Sequence, residues 1–278
     1  MEQDHLFRGD EPLTPTALSQ SALVLAAHGE LGGERDNAAT AALVQQLREL
    51  EIFGSVYCGF FKTSPHLSDV LFEAGKQWER VFIMPLLIAD GFFSRQLLPE
   101  AIRASKSPSQ ITTLPPIGNM PDLHRSVVRQ AITVSKELHW HAPHVLIVGH
   151  GSRSHATSRN NVLTIATDLI ETKAFSSVRA AFLDDEPGLS DVLSDIEQPV
   201  LVIPCFWSAG RHANTDLPGA VSLRGGMIHL LAPIGTLPGL SEMIAAAARD
   251  EVIRQATQIN TDNTRMIDWR AMLDRDEC

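Results

Sequence analysis

Long apolar segments are missing from this sequence. No apolar run approaches the eighteen or so residues that a helix needs to cross a bilayer. Residues 1–15 are polar and acidic, unlike a signal peptide. We therefore expect no membrane partner. Three cysteines among 278 residues make no plausible disulfide framework, which favours a reducing, cytoplasmic compartment.

Positive charge is also scarce. The 23 Lys and Arg residues stand against 33 Asp and Glu residues, which gives a formal net charge of −10 and argues against a nucleic-acid partner. Neither G-x-G-x-x-G nor G-x-x-x-x-G-K-[ST] occurs, which weakens the alternative of a nucleotide-binding α/β protein. We predict no organic cofactor. A polyanionic substrate would have to be held by a local basic patch.

The composition is that of a packed globular protein, with 44% hydrophobic and 20% charged residues. Short runs rich in β-branched residues alternate with segments of helical periodicity, in the order β-α-β-α-β-α-β-α, and this series then starts again. The pattern predicts parallel sheets with right-handed crossovers. Residues 111–118 and 227–235 are expected as the fourth strands, and the last helix is expected to end near residue 257.

The two series are copies of one unit. The interval between His28 and His150 equals the interval between Phe60 and Phe182. Further landmarks recur in the same order at slightly shorter intervals, namely Pro85 and Pro204, Gly91 and Gly210, Pro99 and Pro218. Such ordered recurrence indicates two homologous halves. We predict a polar leader at 1–20, a first half at 21–140, a second half at 145–257 and a polar tail at 258–278.

Chemistry-bearing residues follow three strands of the second half. His150 ends the strand at 145–150, Asp184 and Glu186 follow the second strand, and His212 follows the third. The carboxyl ends of parallel strands converge at one edge of a sheet. Two imidazoles and a carboxylate there would suit Co²⁺, Fe²⁺, Ni²⁺ or Zn²⁺. Glu186 precedes a proline, so a role at a helix N-terminus remains open for it.

The first half retains less of this pattern. His28 stands where the second half has His150, but the repeat places Phe93 over His212 and Lys62 over Asp184. We therefore expect one complete site, in the second half, and a vestigial position at His28.

The motifs of the second half resemble those of the sirohydrochlorin chelatases, the class II chelatases of cobalamin and sirohaem synthesis. They are H-G-S at 150–152, F-L-D-D-E-P at 182–187 and G-R-H-A-N-T-D-L-P at 210–218. The resemblance covers both halves, as in the long, tandem form of the family. It implies two homologous domains, each with a four-stranded parallel sheet flanked by helices, and a cleft between them.

The resemblance also implies an activity. The protein would be a lyase that inserts Co²⁺ or Fe²⁺, as a substrate, into a sirohydrochlorin-like tetrapyrrole. His150 and His212 would bind the metal and accept the pyrrole protons, with Glu186, or Asp184, as the supporting acid and Glu186 as a further metal ligand. Substrate contacts are expected from Ser152 and Asp184 and from the arginines in or near the loops of the second half, namely Arg153, Arg159, Arg179 and Arg211.

A non-catalytic function is the alternative to metal insertion. A non-catalytic tetrapyrrole or metal carrier could use the same cleft. It would need ligands but no proton acceptor. For the assembly, we expect a monomer with an internal pseudo-twofold axis, and a dimer is the alternative.

Overall fold

The computed structural model describes residues 14–29, 37–151, 159–208 and 217–273. In these ranges the chain forms two successive α/β units. Of the residues expected at the site, Ser152, Arg153, Arg211 and His212 lie outside the described ranges. None of the helices in these ranges combines the length and the apolar character needed to span a membrane.

The first unit contains four strands and the helices that connect them. A π-helical turn at Phe93–Leu97 leads into the fourth helix. The elements in chain order are α1 (Thr14–Ser19), β1 (Ser21–Ala27), α2 (Ala38–Glu49), β2 (Ser55–Phe60), α3 (Leu67–Gln77), β3 (Arg80–Pro85), α4 (Leu98–Ser105), β4 (Gln110–Thr113) and α5 (Pro121–Glu137).

The second unit repeats this order after a short connection. Its elements are β5 (His144–Gly149), α6 (Asn160–Glu171), β6 (Ser177–Phe182), α7 (Leu189–Asp195), β7 (Val200–Pro204), α8 (Leu217–Arg224), β8 (Ile228–Leu230) and α9 (Leu240–Leu273).

Both sheets are parallel and have the same topology. The strand orders are β2-β1-β3-β4 and β6-β5-β7-β8, so β1 and β5 lie inside their sheets and each is the first strand of its unit. The chain moves to one side of β1 for β2 and to the other side for β3, which creates a topological switch point at the carboxyl ends of β1 and β3. The second sheet has the equivalent point beyond β5 and β7. The predicted fold class is confirmed.

Both faces of each sheet are covered, and the buried side chains of the described ranges form three clusters. Val24, Leu71 and Ile83 belong to a cluster confined to the first unit, and Leu146 and Val202 belong to one confined to the second. The largest cluster contains side chains from both units. Strand side chains alternate between faces, and here both sets are apolar, which explains the continuous hydrophobic runs.

The two units meet along their helices and along the loops that follow their strands. Trp207 Nε1 donates to Thr40 Oγ1 at 2.9 Å. The Asn161 side-chain amide donates to the Ile88 carbonyl oxygen. Ile88 follows β3 and Trp207 follows β7, whereas Thr40 and Asn161 lie at the starts of α2 and α6. The carboxyl edges of the two sheets are therefore next to each other.

Four details differ from the expected element boundaries. The fourth strands are shorter than expected: β4 ends at Thr113 rather than 118, and β8 ends at Leu230 rather than 235. A proline follows in each case (Pro115 and Pro116, and Pro233), which has no N–H to donate to a strand ladder, and a 3₁₀ turn comes next at Ile117–Asn119 and at Ile234–Thr236. Helix α1 lies within the predicted leader, and its Leu18 is fully buried. Helix α9 continues through most of the predicted tail, where the sequence has no Gly or Pro to end it.

Candidate functional site

The turn after the central strand β5 carries the first predicted ligand. Gly151 has a φ of +75°, a conformation that residues with a side chain seldom adopt. A Cβ at this position would lie 2.6 Å from the Cβ of Asp185, so the turn also requires glycine for space. The His150 side chain is half exposed at the carboxyl edge of the sheet. A histidine at this position is accessible to a ligand that approaches the edge.

The loop after β6 supplies the acid that contacts His150. Asp184 Oδ2 lies 3.1 Å from His150 Nδ1. The backbone N–H of Asp184 also donates to the His150 carbonyl oxygen at 2.9 Å, which ties the two loops together. An Nδ1–H that donates to a carboxylate leaves the lone pair of a neutral imidazole on Nε2. This geometry orients His150 as histidine ligands of metals are oriented.

Glu186 has a different environment. Its carboxylate accepts a hydrogen bond from the backbone N–H of Gly188 at 3.1 Å, next to the start of α7. Its own N–H donates to Asp185 Oδ1 at 2.8 Å. The interaction with the helix N-terminus, which the sequence left open, is thus present. The predicted role of Glu186 as a metal ligand stays a prediction.

The Arg159 side chain packs against the end of β6 and the loop that follows it. Its guanidinium carbon lies 4.9 Å from the centroid of the Phe182 ring, and Nη1 lies 3.6 Å from Asp185 Oδ2. The Arg159 Nε atom is buried without a hydrogen-bond partner within the described ranges. Arg159 therefore stabilises the loop that follows β6, and its predicted contact with a substrate is untested.

The described residues contain only part of the predicted metal site. Among them, no group of three or more His, Cys, Asp and Glu side chains could hold a metal ion. The second predicted ligand, His212, lies outside these ranges, as do Arg211, Arg153 and Ser152. Cys205 follows β7 but is buried, and burial raises the pKa of its thiol to about 12. It is therefore not available as a thiolate ligand at neutral pH.

The corresponding edge of the first unit is aromatic. His28 follows β1 as His150 follows β5, and Gly29 has a φ of +84°, close to that of Gly151. The centroid of the His28 ring lies 4.6 Å from that of Phe93, in an edge-to-face arrangement. Phe93 in turn contacts Phe61 and Phe92. The sequence indicated that Phe93 replaces a histidine, but its packing against His28 and Phe61 depends on how the loops fold.

Comparison with known proteins agrees with the repeat. The family model described as CbiX matches residues 22–134 and, again, residues 144–251. A probable sirohydrochlorin cobaltochelatase of Halobacterium salinarum is 24% identical over 221 residues, which are 71% of this chain and 75% of that protein.

Solved structures share the fold. SirB from Bacillus subtilis with Fe³⁺ superposes with a TM-score of 0.71 at 19% identity, over 86% of this chain and 98% of that chain. SirB of Bacillus subtilis subspecies spizizenii in complex with cobalt gives 0.69 at 19% identity, over 86% and 97%. The CbiX described as the terminal enzyme of siroheme biosynthesis in denitrifying bacteria gives 0.68 at 23% identity, over 82% and 98%.

These structural similarities establish the fold, and the two matches to one family model cover well over half of the chain. The chain therefore belongs to the CbiX family, the sirohydrochlorin chelatases recognised from the sequence, in the tandem form in which two homologous units are joined.

Proposed function

We propose that this protein is a metal chelatase that inserts Co²⁺ or Fe²⁺ into a sirohydrochlorin-like tetrapyrrole. The observation that carries the proposal is the contact between His150 and Asp184 at the carboxyl end of the central strand β5. It places an oriented imidazole at the switch point of the sheet, where open α/β proteins bind their ligands. Family membership supplies the reaction class.

His150 and His212 are the proposed metal ligands. The Asp184 carboxylate lies 3.1 Å from His150 Nδ1, a position that favours the tautomer protonated at Nδ1 and leaves Nε2 to bind the ion. We assign His212 as the second ligand on the basis of its sequence position, between β7 and α8. We assign the supporting acid role to Asp184 rather than to Glu186, because the Glu186 carboxylate binds the Gly188 N–H.

The same two histidines can accept the protons that the reaction releases. A free-base tetrapyrrole loses two pyrrole N–H protons while it takes up one divalent ion. When the ion moves from the imidazole nitrogens to the macrocycle, each of those nitrogens regains a lone pair and can accept one of the protons. Imidazoles suit this exchange because they gain and lose protons near neutral pH.

The carboxylates of such a substrate need positive partners in a chain of net charge −10. Long-range attraction is absent, so binding relies on short, well-aimed contacts. We propose that Arg211 and Arg153, with the hydroxyl of Ser152, provide these contacts beside the metal ligands. Arg159 is held by Asp185 and Phe182, and we infer that it supports the loop.

The test is anaerobic incubation of the purified protein with excess sirohydrochlorin and, in separate reactions, Co²⁺, Fe²⁺, Ni²⁺ and Zn²⁺. Absorbance follows the product. We expect many turnovers per protein with Co²⁺ or Fe²⁺, and a rate near the uncatalysed background in His150→Ala. Stoichiometric uptake of tetrapyrrole or metal without acceleration would instead identify a carrier and would contradict the catalytic proposal.

A further inference from the structure

A cluster of aromatic side chains lies at the carboxyl edge of the first sheet. We define the aromatic cluster as Phe61, Phe92 and Phe93. Phe93 is its centre, with ring centroids 5.5 Å from Phe61 and 5.8 Å from Phe92, both edge to face. The Phe92 side chain is 40% exposed. Single exposed apolar residues are ordinary, but a group of contacting rings at the edge where this fold binds ligands indicates an interaction site.

The repeat explains the position of the cluster. Phe93 occupies the place that His212 has in the second unit, and His28, which corresponds to His150, packs against the edge of its ring. The first unit therefore presents a ring where the second has a predicted metal ligand. A phenyl side chain cannot bind Co²⁺ or Fe²⁺, but it can stack on a flat conjugated molecule.

Positive charge lies beside the rings. Lys62 Nζ is 5.8 Å from the centroid of the Phe93 ring, and the repeat places Lys62 at the position of Asp184. The first unit thus replaces an acid by a cation at the same edge. An ammonium next to an aromatic surface is complementary to a flat ligand that carries carboxylates.

The segment that carries Phe93 is held in place. Ser94 Oγ donates to Asp90 Oδ1 at 2.6 Å, and Arg95 Nη2 donates to Asp90 Oδ2 at 2.9 Å. These hydrogen bonds, that from Arg95 above all, hold the pKa of Asp90 below its ordinary value. The aromatic surface is therefore formed before a ligand arrives, which lowers the entropic cost of binding.

The cluster is also near the other unit. Ile88, in the loop between β3 and the aromatic cluster, accepts a hydrogen bond from Asn161 at the start of α6, the helix that follows the His150 turn. The loop that leads from β3 to Phe92 and Phe93 therefore contacts the second unit. A macrocycle is large enough to extend from there towards the second sheet.

From these observations we propose that the aromatic cluster is the surface on which the tetrapyrrole macrocycle stacks, and that Lys62 binds one of its carboxylates. Phe93 is a positioning residue: the first unit supports the face of the macrocycle, while the second unit supplies the metal ligands and the further carboxylate contacts proposed above. This inference rests on the proposed function, because it takes the tetrapyrrole as the ligand.

The experiment measures binding of metal-free sirohydrochlorin, without added metal, to full-length Phe93→Leu by absorbance titration. We expect Kd to rise about five- to tenfold, the scale of one lost aromatic contact. Phe93→Tyr keeps the ring and should stay within about twofold of wild type. Phe92→Ala removes an exposed ring and provides a second variant if Phe93→Leu is unstable. In steady state, KM for sirohydrochlorin should rise in Phe93→Leu, and KM for Co²⁺ should not.

The chain offers a matched control in Phe72 of α3. This side chain is 42% exposed and has Lys76 Nζ 5.0 Å from its ring centroid, but it lies in the middle of a helix. Phe72→Leu should leave Kd unchanged. Equal weakening by Phe72→Leu and Phe93→Leu would overturn the proposal.

The remaining outcomes separate this inference from the proposed function. Unchanged binding in Phe93→Leu, in a protein that inserts metal, would overturn the stacking surface and leave the chelatase proposal standing. Tight, Phe93-dependent binding without metal insertion would support the stacking surface and remove the catalytic proposal. If wild type binds no sirohydrochlorin, both are wrong. If Phe93→Leu instead dissociates a dimer seen in wild type by sedimentation, the cluster is a contact between copies and the inference is overturned.

Discussion

The two units present different side chains on nearly the same backbone. The Lys62 N–H donates to the His28 carbonyl oxygen at 3.0 Å, and the Asp184 N–H donates to the His150 carbonyl oxygen at 2.9 Å. Lys62 nevertheless lies by a phenyl ring, whereas Asp184 contacts an imidazole. A duplicated scaffold thus keeps its hydrogen bonds while the side chains at its edge diverge. We interpret the second unit as the metal site and the first as the surface that supports the macrocycle of the tetrapyrrole.

The largest expected effect concerns the two histidines that follow the central strands. His150→Ala should lower kcat/KM for metal insertion by about 100-fold or more, because it removes both a ligand and a proton acceptor. His212→Ala should have an effect of similar size. His28→Ala should cost about threefold or less, since the interpretation gives His28 no role in the chemistry. Steady-state insertion assays compare the three variants, and an equal loss in His28→Ala would refute the assignment of chemistry to one unit.

The two acids of the loop after β6 should differ. Asp184→Ala should weaken Co²⁺ binding about 10- to 100-fold, because it removes the carboxylate next to His150 Nδ1 and with it the partner that orients a histidine ligand. Glu186→Gln should change it little, because an amide oxygen can still accept from the Gly188 N–H. Calorimetric titration with Co²⁺ measures both. A greater loss in Glu186→Gln would show that Glu186 is itself a ligand.

The next prediction compares two arginines of the second unit, Arg211 and Arg179. Arg211→Ala should raise KM for sirohydrochlorin about tenfold, the value of one charge-assisted contact, and leave Co²⁺ affinity unchanged. Arg179 is the matched control in the same unit, because its guanidinium pairs with Asp195 at the last residue of α7. Arg179→Ala should not change KM. If the two variants behave alike, the carboxylates are bound elsewhere, and Lys62 is the next residue to test.

The smallest effect concerns the network below the aromatic cluster. The pKa of Asp90 is lowered in the folded state, so its contribution to stability is present above the ordinary carboxyl pKa and is lost as pH falls through the lowered value. Asp90→Asn should therefore lower Tm by about 2 °C or less at pH 7, a small effect because the Asp90–Arg95 pair is on the surface. At pH 3 the decrease should be smaller still, because the carboxylate is then partly protonated. Thermal melts at both pH values measure the difference. A difference that grows in acid would contradict this account of Asp90.

Much of this architecture could be predicted from the sequence, because its signals are local. Apolar runs mark the strands, and landmarks that recur in the same order reveal the duplication. The end of β4 at Thr113 and the packing of Leu18 were not predicted, since the first depends on two prolines within an apolar run and the second on contacts with distant residues. The strand order β2-β1-β3-β4 was not predicted, because it depends on the side to which each crossover connection carries the chain, and local sequence signals do not specify that side.

The site was predictable to a lesser degree. The position of His150 in its turn followed from Gly149, Gly151 and the strand before them. The choice between Asp184 and Glu186 did not, because both follow β6 and only the direction of each side chain distinguishes them. The replacement of a histidine by Phe93 was visible in the sequence, but the geometry of the aromatic cluster arises from two separate segments, one after β2 and one after β3.

The central claim, that this duplicated chain contains one metal site and that it belongs to the second unit, is tested most directly by counting bound ions. Anaerobic equilibrium dialysis against Co²⁺ without tetrapyrrole should give one ion per chain in wild type and in His28→Ala, and none in His150→Ala at the same free Co²⁺ concentration. Two ions per chain in wild type, or loss of the ion in His28→Ala, would contradict the account.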